Sequence, residues 1–255
     1  MQSTFDIFRP GIGPSSSHTM GPMRAALRFL DELRAMGLME RVGGVRCDLH
    51  GSLALTGKGH MTDRAVLLGL WGVKPEEADP DVIQEFVGLV DRTRRLPLGA
   101  FPRLADERSI PFDPERDIAF FPKQLPLHEN GLVLHALGPD GTPLHSNTYY
   151  SIGGGFVVEA ARFDAPDGVF GDVPYPYASA EELIAVCSEH GLSISTLVLE
   201  NERALHPGVD VQGHFERIWG IMSACMERGM RTEGILPGGL HVARRAAQLL
   251  RMLSS

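Results

Sequence analysis

The chain has 255 residues, 43% of them hydrophobic, and a formal net charge of −8. This length suits one large domain or two ordinary ones, and the acidic balance without a long basic run excludes nucleic acid as a partner. No apolar run approaches the ~20 residues of a membrane span, and the first residues lack a signal-peptide pattern. We therefore expect no membrane association and a soluble, cytoplasmic protein.

The cysteines are too few and too far apart for a disulfide framework or a closed metal site. No C-x-x-C pair occurs among Cys47, Cys187 and Cys225. Each lies in an apolar pattern, so we expect buried free thiols. We assign no metal ligand in this chain.

The first polar stretch, residues 11–22, reads GIGPSSSHTMGP. Glycine and proline bracket it, which predicts a rigid loop, and the apolar spacing that follows predicts a helix from Met23 to a stop at Gly37. Amides at a helix N-terminus and the helix dipole favour a carboxylate or phosphate, with His18 beside it to exchange a proton. Simple N-capping is the alternative, but one hydroxyl suffices for a cap, and this stretch has four: Ser15, Ser16, Ser17 and Thr19.

The second stretch, residues 51–60, reads GSLALTGKGH. It is not a phosphate-binding P-loop, because its glycine spacing is one residue too long and glycine replaces the hydroxyl residue that would hold magnesium. It does place Lys58 and His60 in a glycine loop, with Thr62 opening the next helix. Because His18 and His60 both lie in loops at helix starts, we expect them to face one pocket for an anionic small molecule. Proton transfer there would contribute about 10²–10⁴-fold in rate.

The middle of the chain predicts a sheet. Expected elements, in order, are a strand over 45–49, helices over 62–70 and from 79, a short strand near 110–112, a strand over 118–121, and a hairpin of strands 132–137 and 144–152. Three glycines, 153–155, end the hairpin; close approach of a ligand and a tight strand end explain them equally well. A pyridoxal-phosphate enzyme needs a Schiff-base lysine, and only Lys58 has any matching context, so we expect no such cofactor.

The composition changes after the hairpin. Residues 164–178 are rich in proline, glycine and aspartate and predict a linker, and a capping box of Ser179 and Glu182 then opens a helix. Two further helices are expected over residues 211–229, with Trp219 in the core, and 242–253. We therefore divide the chain into a domain over residues 1–163, a linker over residues 164–178 and a truncated helical region over residues 179–255. That region is expected to expose apolar surface.

Three motifs in this order resemble the bacterial iron–sulfur-dependent L-serine dehydratases of the single-chain form. The motifs are GIGPSSSHTMGPM at 11–23, GSLALTGKGH at 51–60 and YYSIGGGF at 149–156. The resemblance covers the whole chain: residues 1–163 resemble the beta domain of that family, and residues 179–255 resemble the start of its catalytic alpha domain, including EG at 233–234 and PGGL at 237–240. It implies an α+β fold, with a mixed sheet and packed helices followed by a helical extension. The beta domain also resembles the allosteric substrate-binding domain of some phosphoglycerate dehydrogenases.

The resemblance implies a lyase of amino-acid degradation and gluconeogenesis, an L-serine ammonia-lyase that converts L-serine to pyruvate and ammonia. Family members use a four-iron, four-sulfur cluster whose open iron acts as a Lewis acid on the substrate hydroxyl. A base removes the Cα proton, and the aminoacrylate then hydrolyses. The three cluster cysteines of the family lie later in the alpha domain, so we expect this chain to hold no cluster and to be inactive alone. Expected partners are L-serine or another small carboxylate, the remaining alpha domain and a second copy in a homodimer.

The resemblance also implies roles for individual residues. His18 and His60 resemble the beta-domain histidines that face the active site, and one of them is expected to be the base or a proton relay. Ser15, Ser16, Ser17 and Thr19 are expected to hold the substrate carboxylate, and Lys58 and Thr62 complete the expected substrate-binding set. The alternative is a regulatory module that binds a small anion and has no catalytic side chain.

Overall fold

The computed structural model describes residues 3–163, 172–236 and 241–254. These residues fall into two units, each described by itself below. The sheet unit contains residues 11–163 with His241, and the helical unit contains residues 3–10, 172–236 and 242–254. The domain bounds expected from sequence stay a prediction. Residues 164–171 of the expected linker, and the PGGL motif at 237–240, lie outside the described residues.

The sheet unit is built on a five-stranded mixed sheet, which confirms the predicted α+β class. Its strand order is β4-β1-β5-β6-β7, with β1 and β4 parallel and all other pairs antiparallel. Strands β2 and β3 form a separate antiparallel pair. The strands are β1 (Gly44–Gly51), β2 (Arg95–Leu96), β3 (Ile110–Pro111), β4 (Ile118–Phe121), β5 (Asn130–Leu137), β6 (Pro143–Gly153) and β7 (Phe156–Glu159).

Side chains of alternate strand residues form the buried face of this sheet. On β1 these are Val45, Cys47 and Leu49, and each is at most 1% exposed. Strand residues two apart point to the same face, so the alternation seen in the sequence becomes one apolar layer. Fully burying such a side chain contributes roughly 1.5–3 kcal/mol, and this layer therefore fixes the register of the strands that carry the site.

Helices pack against the apolar layer. Those of the sheet unit are α2 (Gly21–Ala35), α3 (Ser52–Leu55), α4 (Thr62–Trp71), α5 (Pro80–Thr93) and α6 (Pro114–Asp117). Helix α2 contacts both α4 and β6, and α4 is buried over nearly all of its length. The indole of Trp71 ends α4 in the core, where it stacks on Phe86 of α5 at 3.9 Å between ring centroids. The first residues of α2 and α4, Gly21 and Thr62, are themselves buried, and both helices begin next to predicted site residues.

The helical unit holds the remaining helices. They are α1 (Thr4–Ile7), α7 (Ala180–His190), α8 (Ile194–Leu205), α9 (Val211–Arg231) and α10 (Ala246–Ser254). As predicted, the Ser179 hydroxyl caps α7, accepting the N–H of Glu182 at 3.2 Å. No single helix among the described residues is long and apolar enough to cross a membrane; α7 and α8 meet that test only jointly, and the pair is bent by 96°.

The structure corrects several predictions in the helical unit. Helix α9 continues past Gly229, and α10 begins at Ala246 rather than at residue 242. Trp219 is 62% exposed instead of buried in the core, and Cys225 is exposed as well, because the apolar stripe of α9 is not covered by other described residues. Helix α8 was not predicted.

Candidate active site

The structure brings the two predicted histidines together. The ring centroids of His18 and His60 are 4.8 Å apart, with the ring planes tilted by 39°. Both rings are partly exposed. Two histidines separated by 41 intervening residues in the chain therefore lie side by side at the surface of the sheet unit.

His18 lies in a helical turn and not in the predicted loop. Residues Ser16–Met20 form one π-helical turn that continues directly into α2, with Ser15 as its N-cap. The Ser15 hydroxyl accepts a hydrogen bond from the N–H of His18 at 3.2 Å. Ser15 is therefore an N-cap, as the alternative interpretation of this stretch predicts. Wide turns of this kind are rare and occur frequently at functional sites.

Two hydroxyl groups bracket the ring of His18. Its Nδ1 is hydrogen-bonded to Ser17 Oγ at 2.9 Å and its Nε2 to Ser52 Oγ at 3.0 Å. Burial lowers the pKa of His18 below its usual value, and the nearby His60 lowers it further. The ring is therefore held in place and kept neutral at neutral pH, which is the form that accepts a proton.

The backbone fixes the proton position on His60. Its Nδ1 lies 3.0 Å from the carbonyl oxygen of Thr56, and a carbonyl oxygen only accepts hydrogen bonds. The Nδ1 of His60 must therefore carry the proton. In the neutral ring this leaves the lone pair on Nε2. The ring can therefore accept a proton at one defined atom.

Two threonines join the histidine stretches. The Thr19 hydroxyl donates to the carbonyl oxygen of His60 at 2.9 Å, and the Thr62 hydroxyl donates to that of His18 at 2.7 Å. Both side chains are buried. Their hydroxyl protons are thus committed to positioning the two histidines, and direct contact with substrate stays a prediction for both threonines.

The other predicted ligands differ in their surroundings. Ser16 is exposed, and the hydrogen bonds described include none that takes the N–H of Ser16 or Ser17. The ammonium of Lys58 is paired with Asp63 at 2.7 Å and lies 4.8 Å from the ring centroid of Phe120. The lysine side chain is 65% exposed, so Lys58 is a surface cation two residues before His60 in the chain.

The third sequence motif supports the first. The Ser151 hydroxyl of β6 donates to the carbonyl oxygen of Ser17 at 2.7 Å and is fully buried. A Cβ at Gly21 would lie 1.9 Å from Ser151 Oγ, so only glycine permits this approach. The glycines 153–155 have positive φ and form the turn from β6 to β7, which is the tight strand end considered above.

Ser52, Thr56 and Ser151 were missed by the sequence reading. Each lies inside one of the three motifs, and each is an unremarkable hydroxyl residue in the sequence. Only their contacts in the fold identify them.

No cluster-binding set is present among the described residues. Cys47 is buried in the sheet, where burial raises the pKa of its thiol, and Cys187 and Cys225 lie on helices of the other unit. The described part of the chain contains no group of three or more histidine, cysteine, aspartate or glutamate side chains placed to hold a metal. These residues do not fit an iron–sulfur cluster.

The comparisons with known proteins agree with the predicted family. Residues 3–162 match the model of the serine dehydratase beta chain. L-serine dehydratase of Haemophilus influenzae is 45% identical over 255 residues, and L-serine dehydratase 1 of Escherichia coli is 47% identical over 257 residues; both matches cover all of this chain. L-serine dehydratase of Streptomyces coelicolor is 44% identical over 256 residues, covering 99% of the chain.

The match does not extend over the whole of these relatives. The chain spans 55% of the length of each of the three. The matched part includes all three motifs and the histidine pair, and the family model accounts for most of the sheet unit. The chain therefore belongs to the serine dehydratase beta chain family.

Proposed function

We propose that this chain supplies the beta domain and the start of the catalytic alpha domain of an L-serine dehydratase, which converts L-serine to pyruvate and ammonia. The observation that carries the proposal is the His18–His60 pair at 4.8 Å, in a family whose curated relatives are named for this reaction. Loss of water from serine requires removal of the Cα proton, and a neutral imidazole is suited to accept it.

His60 is the base in this proposal. The Thr56 carbonyl holds the proton on Nδ1, so Nε2 presents its lone pair without a change of tautomer. His18 has both ring nitrogens engaged by the hydroxyls of Ser17 and Ser52, which suits a relay that passes the proton onward. Each role depends on a neutral ring at working pH, and burial favours that form for His18.

The turn before α2 holds the substrate carboxylate in this proposal. The N–H groups of Ser16 and Ser17 lie in the first positions of a helix, where the helix dipole favours a negative charge. Lys58, which is paired with Asp63 and lies two residues before His60 in the chain, is the cation assigned to this site in the proposal. Ser15 and Thr19 contribute by fixing the shape of the turn.

The remaining partners are also part of the proposal. The rest of the alpha domain, which corresponds to the relatives' additional length, is the part expected to hold the iron–sulfur cluster, and the complete protein acts in the cytoplasm as a homodimer. Pyruvate formation for amino-acid degradation and gluconeogenesis follows from the same activity. This chain alone is expected to be inactive.

The roles of the two histidines are tested in the complete protein that contains this chain. His60→Ala is expected to lower kcat by about 10²–10⁴-fold, the usual contribution of a general base, and to abolish exchange of the serine Cα proton with D₂O. His50→Ala, a histidine on the same sheet unit outside the pair, is the matched control. Normal turnover and exchange in both the His18→Ala and the His60→Ala proteins would refute the proposal.

A regulatory module that binds a small anion is the second candidate. It is favoured by the helix N-terminus of Ser16–Met20, which needs no catalytic side chain to bind an anion. Calorimetric titration of this chain with L-serine, phosphate and sulfate distinguishes the two. Saturable binding of all three anions, unchanged in the His60→Ala chain, supports the module.

A further inference from the structure

Residues 3–9 belong to the helical unit although the chain continues from them into the sheet unit. Ser3 caps α1, and its hydroxyl donates to Glu202 Oε2 at 2.7 Å. The N–H of Thr4 donates to Glu202 Oε1, also at 2.7 Å. One carboxylate of α8 therefore binds the start of a helix that lies 198 residues earlier in the sequence.

This carboxylate is deeply buried. Glu202 is 0% exposed and Ser3 is 2% exposed. Since the Ser3 O–H points at Glu202, the 2.9 Å contact between Ser3 Oγ and His206 Nε2 requires the imidazole to donate. A buried carboxylate is tolerated when donors satisfy it, and Glu202 receives hydrogen bonds from Ser3 and Thr4, with His206 Nε2 3.4 Å from its Oε2.

An aromatic slot holds the same segment. The ring of Phe5 stacks on His206 at 4.3 Å and on His214 at 3.6 Å, with interplanar angles of 9° and 13°. The edge of Phe215 completes the slot at 5.9 Å. Side chains at the C-terminal end of α8 and in α9 therefore both stack on the ring of Phe5.

The segment owes its order to these contacts. Helix α1 has only four residues, and helices this short are unstable alone in water. The side chains of Ile7 and Phe8 in the same segment are exposed, and the contacts described above are made by Ser3, Thr4 and Phe5. A short peptide recognised by one carboxylate and one aromatic slot has the properties of a docking ligand.

We propose that residues 3–9 are a peptide strap that docks into the groove formed by Glu202, His206 and His214, and that this docking holds the sheet unit and the helical unit together when the chain between them is cut. The occupant of the groove is this chain's own segment. The inference is independent of the catalytic proposal, because no residue of the strap belongs to the histidine pair.

The experiment uses the full chain with a specific protease sequence inserted between Asp167 and Gly168. After folding and cleavage, the two pieces are expected to co-elute from a size-exclusion column. Ser3→Ala combined with Phe5→Ala is expected to weaken their association by at least tenfold. Phe8→Ala, which removes an exposed aromatic ring of the same segment, is the matched control and should leave association unchanged.

Hydrogen–deuterium exchange on the uncut chain provides a second readout that needs no cleavage. The Ser3/Phe5 double variant should raise exchange across residues 194–215, whereas Phe8→Ala should not. Separation of the wild-type pieces after cleavage would overturn the proposal, as would a double variant whose association and exchange match those of the wild type.

Discussion

At the scale of single residues, the ring of His18 lies beside a second imidazole and is partly withdrawn from water. Burial is the larger cause of its lowered pKa, and the charge of His60 is the next. Replacing His60 by glutamine removes the second cause, so the pKa of His18 should rise toward its usual value near 6.5. A pH titration of the imidazole ¹⁵N shifts measures this change. His50→Gln is the control, and an unmoved His18 pKa in the His60→Gln chain would contradict the expectation.

The same lowered pKa links His18 to stability. The unfolded chain binds a proton at this ring before the folded chain does, so stability falls as pH drops from about 6.5 through the folded-state pKa. Above that window the ring is neutral in both states and has no effect. The free energy of unfolding in urea, compared at pH 7.5 and pH 5.5, should therefore fall less for His18→Gln than for the wild type.

Glu32 has the same direction of pH dependence as His18, in a more acidic range, because its pKa is also lowered in the folded chain. Burial alone would raise the pKa of this carboxyl, but hydrogen bonds from Tyr149 at 2.6 Å, His145 at 2.8 Å and Asn147 at 3.0 Å lower it overall. The stabilisation is present above the unfolded-state pKa and is lost as pH falls through the folded-state value.

Tyr149→Phe should therefore cost about 1–3 kcal/mol at pH 7, because Glu32 loses a short hydrogen bond in a partly buried site. It should also weaken the loss of stability at acid pH. Urea unfolding at pH 7 and pH 4 measures both effects. Tyr150→Phe is the same change one residue along, on the other face of β6, and a loss as large in that variant would show that the carboxylate is not responsible.

At the scale of secondary-structure elements, two helices meet at a glycine. A Cβ on Gly69 of α4 would lie 2.2 Å from the carbonyl oxygen of Met23 and 2.6 Å from Ala26 Cβ, both on α2. Gly69→Ala should therefore destabilise the chain by roughly 1–3 kcal/mol through overpacking. Gly220→Ala, at an open position of α9, should instead be neutral or gain up to about 1 kcal/mol. Equal stabilities of the two variants in chemical denaturation would rule out this account of the α2–α4 contact.

Most elements of the sheet unit follow from sequence periodicity. The strand at Ile118–Phe121 has the predicted bounds, and α4 differs from its prediction by one residue. Strand β7 was missed because glycines 153–155 were interpreted only as the end of the hairpin. The sequence did not indicate that the chain turns there and pairs with β6. Helix α8 was missed because two polar residues, Asn201 and Glu202, interrupt its apolar pattern, although both are fully buried against partners distant in the sequence. The periodicity of apolar residues in a sequence indicates which apolar side chains are buried. It gives no signal for a polar side chain that is buried together with its hydrogen-bond partner.

At the scale of the whole molecule, apolar side chains are exposed along α9 and α10. Trp219 is joined by Met222 and Met226 on α9, and Leu253 on α10 is 87% exposed. A patch of this kind promotes association in water. The chain should therefore self-associate as its concentration rises, and Trp219→Glu with Met226→Glu should suppress this. Sedimentation equilibrium measures the effect, with the isolated exposed residue Met36 changed to glutamate as control. Equal association in both variants would count against the patch.

The candidate site was partly predictable. Residue types and helix starts were enough to single out His18 and His60 and to expect them in one place. The proton position on His60 was not, because it depends on the Thr56 carbonyl, and backbone groups carry no signal in a sequence. The neighbours of His18 were equally hidden, since Ser52 comes from a distant stretch whose approach requires the folded sheet.

The crossed threonine bonds constrain how this surface can change over time. Thr19 secures the stretch that bears His60, and Thr62 secures the stretch that bears His18. Loss of either hydroxyl would therefore loosen the backbone of the histidine in the other stretch, so we expect the two stretches to change together in evolution. Grafting either of them alone onto a foreign scaffold would transplant an imidazole without its anchor.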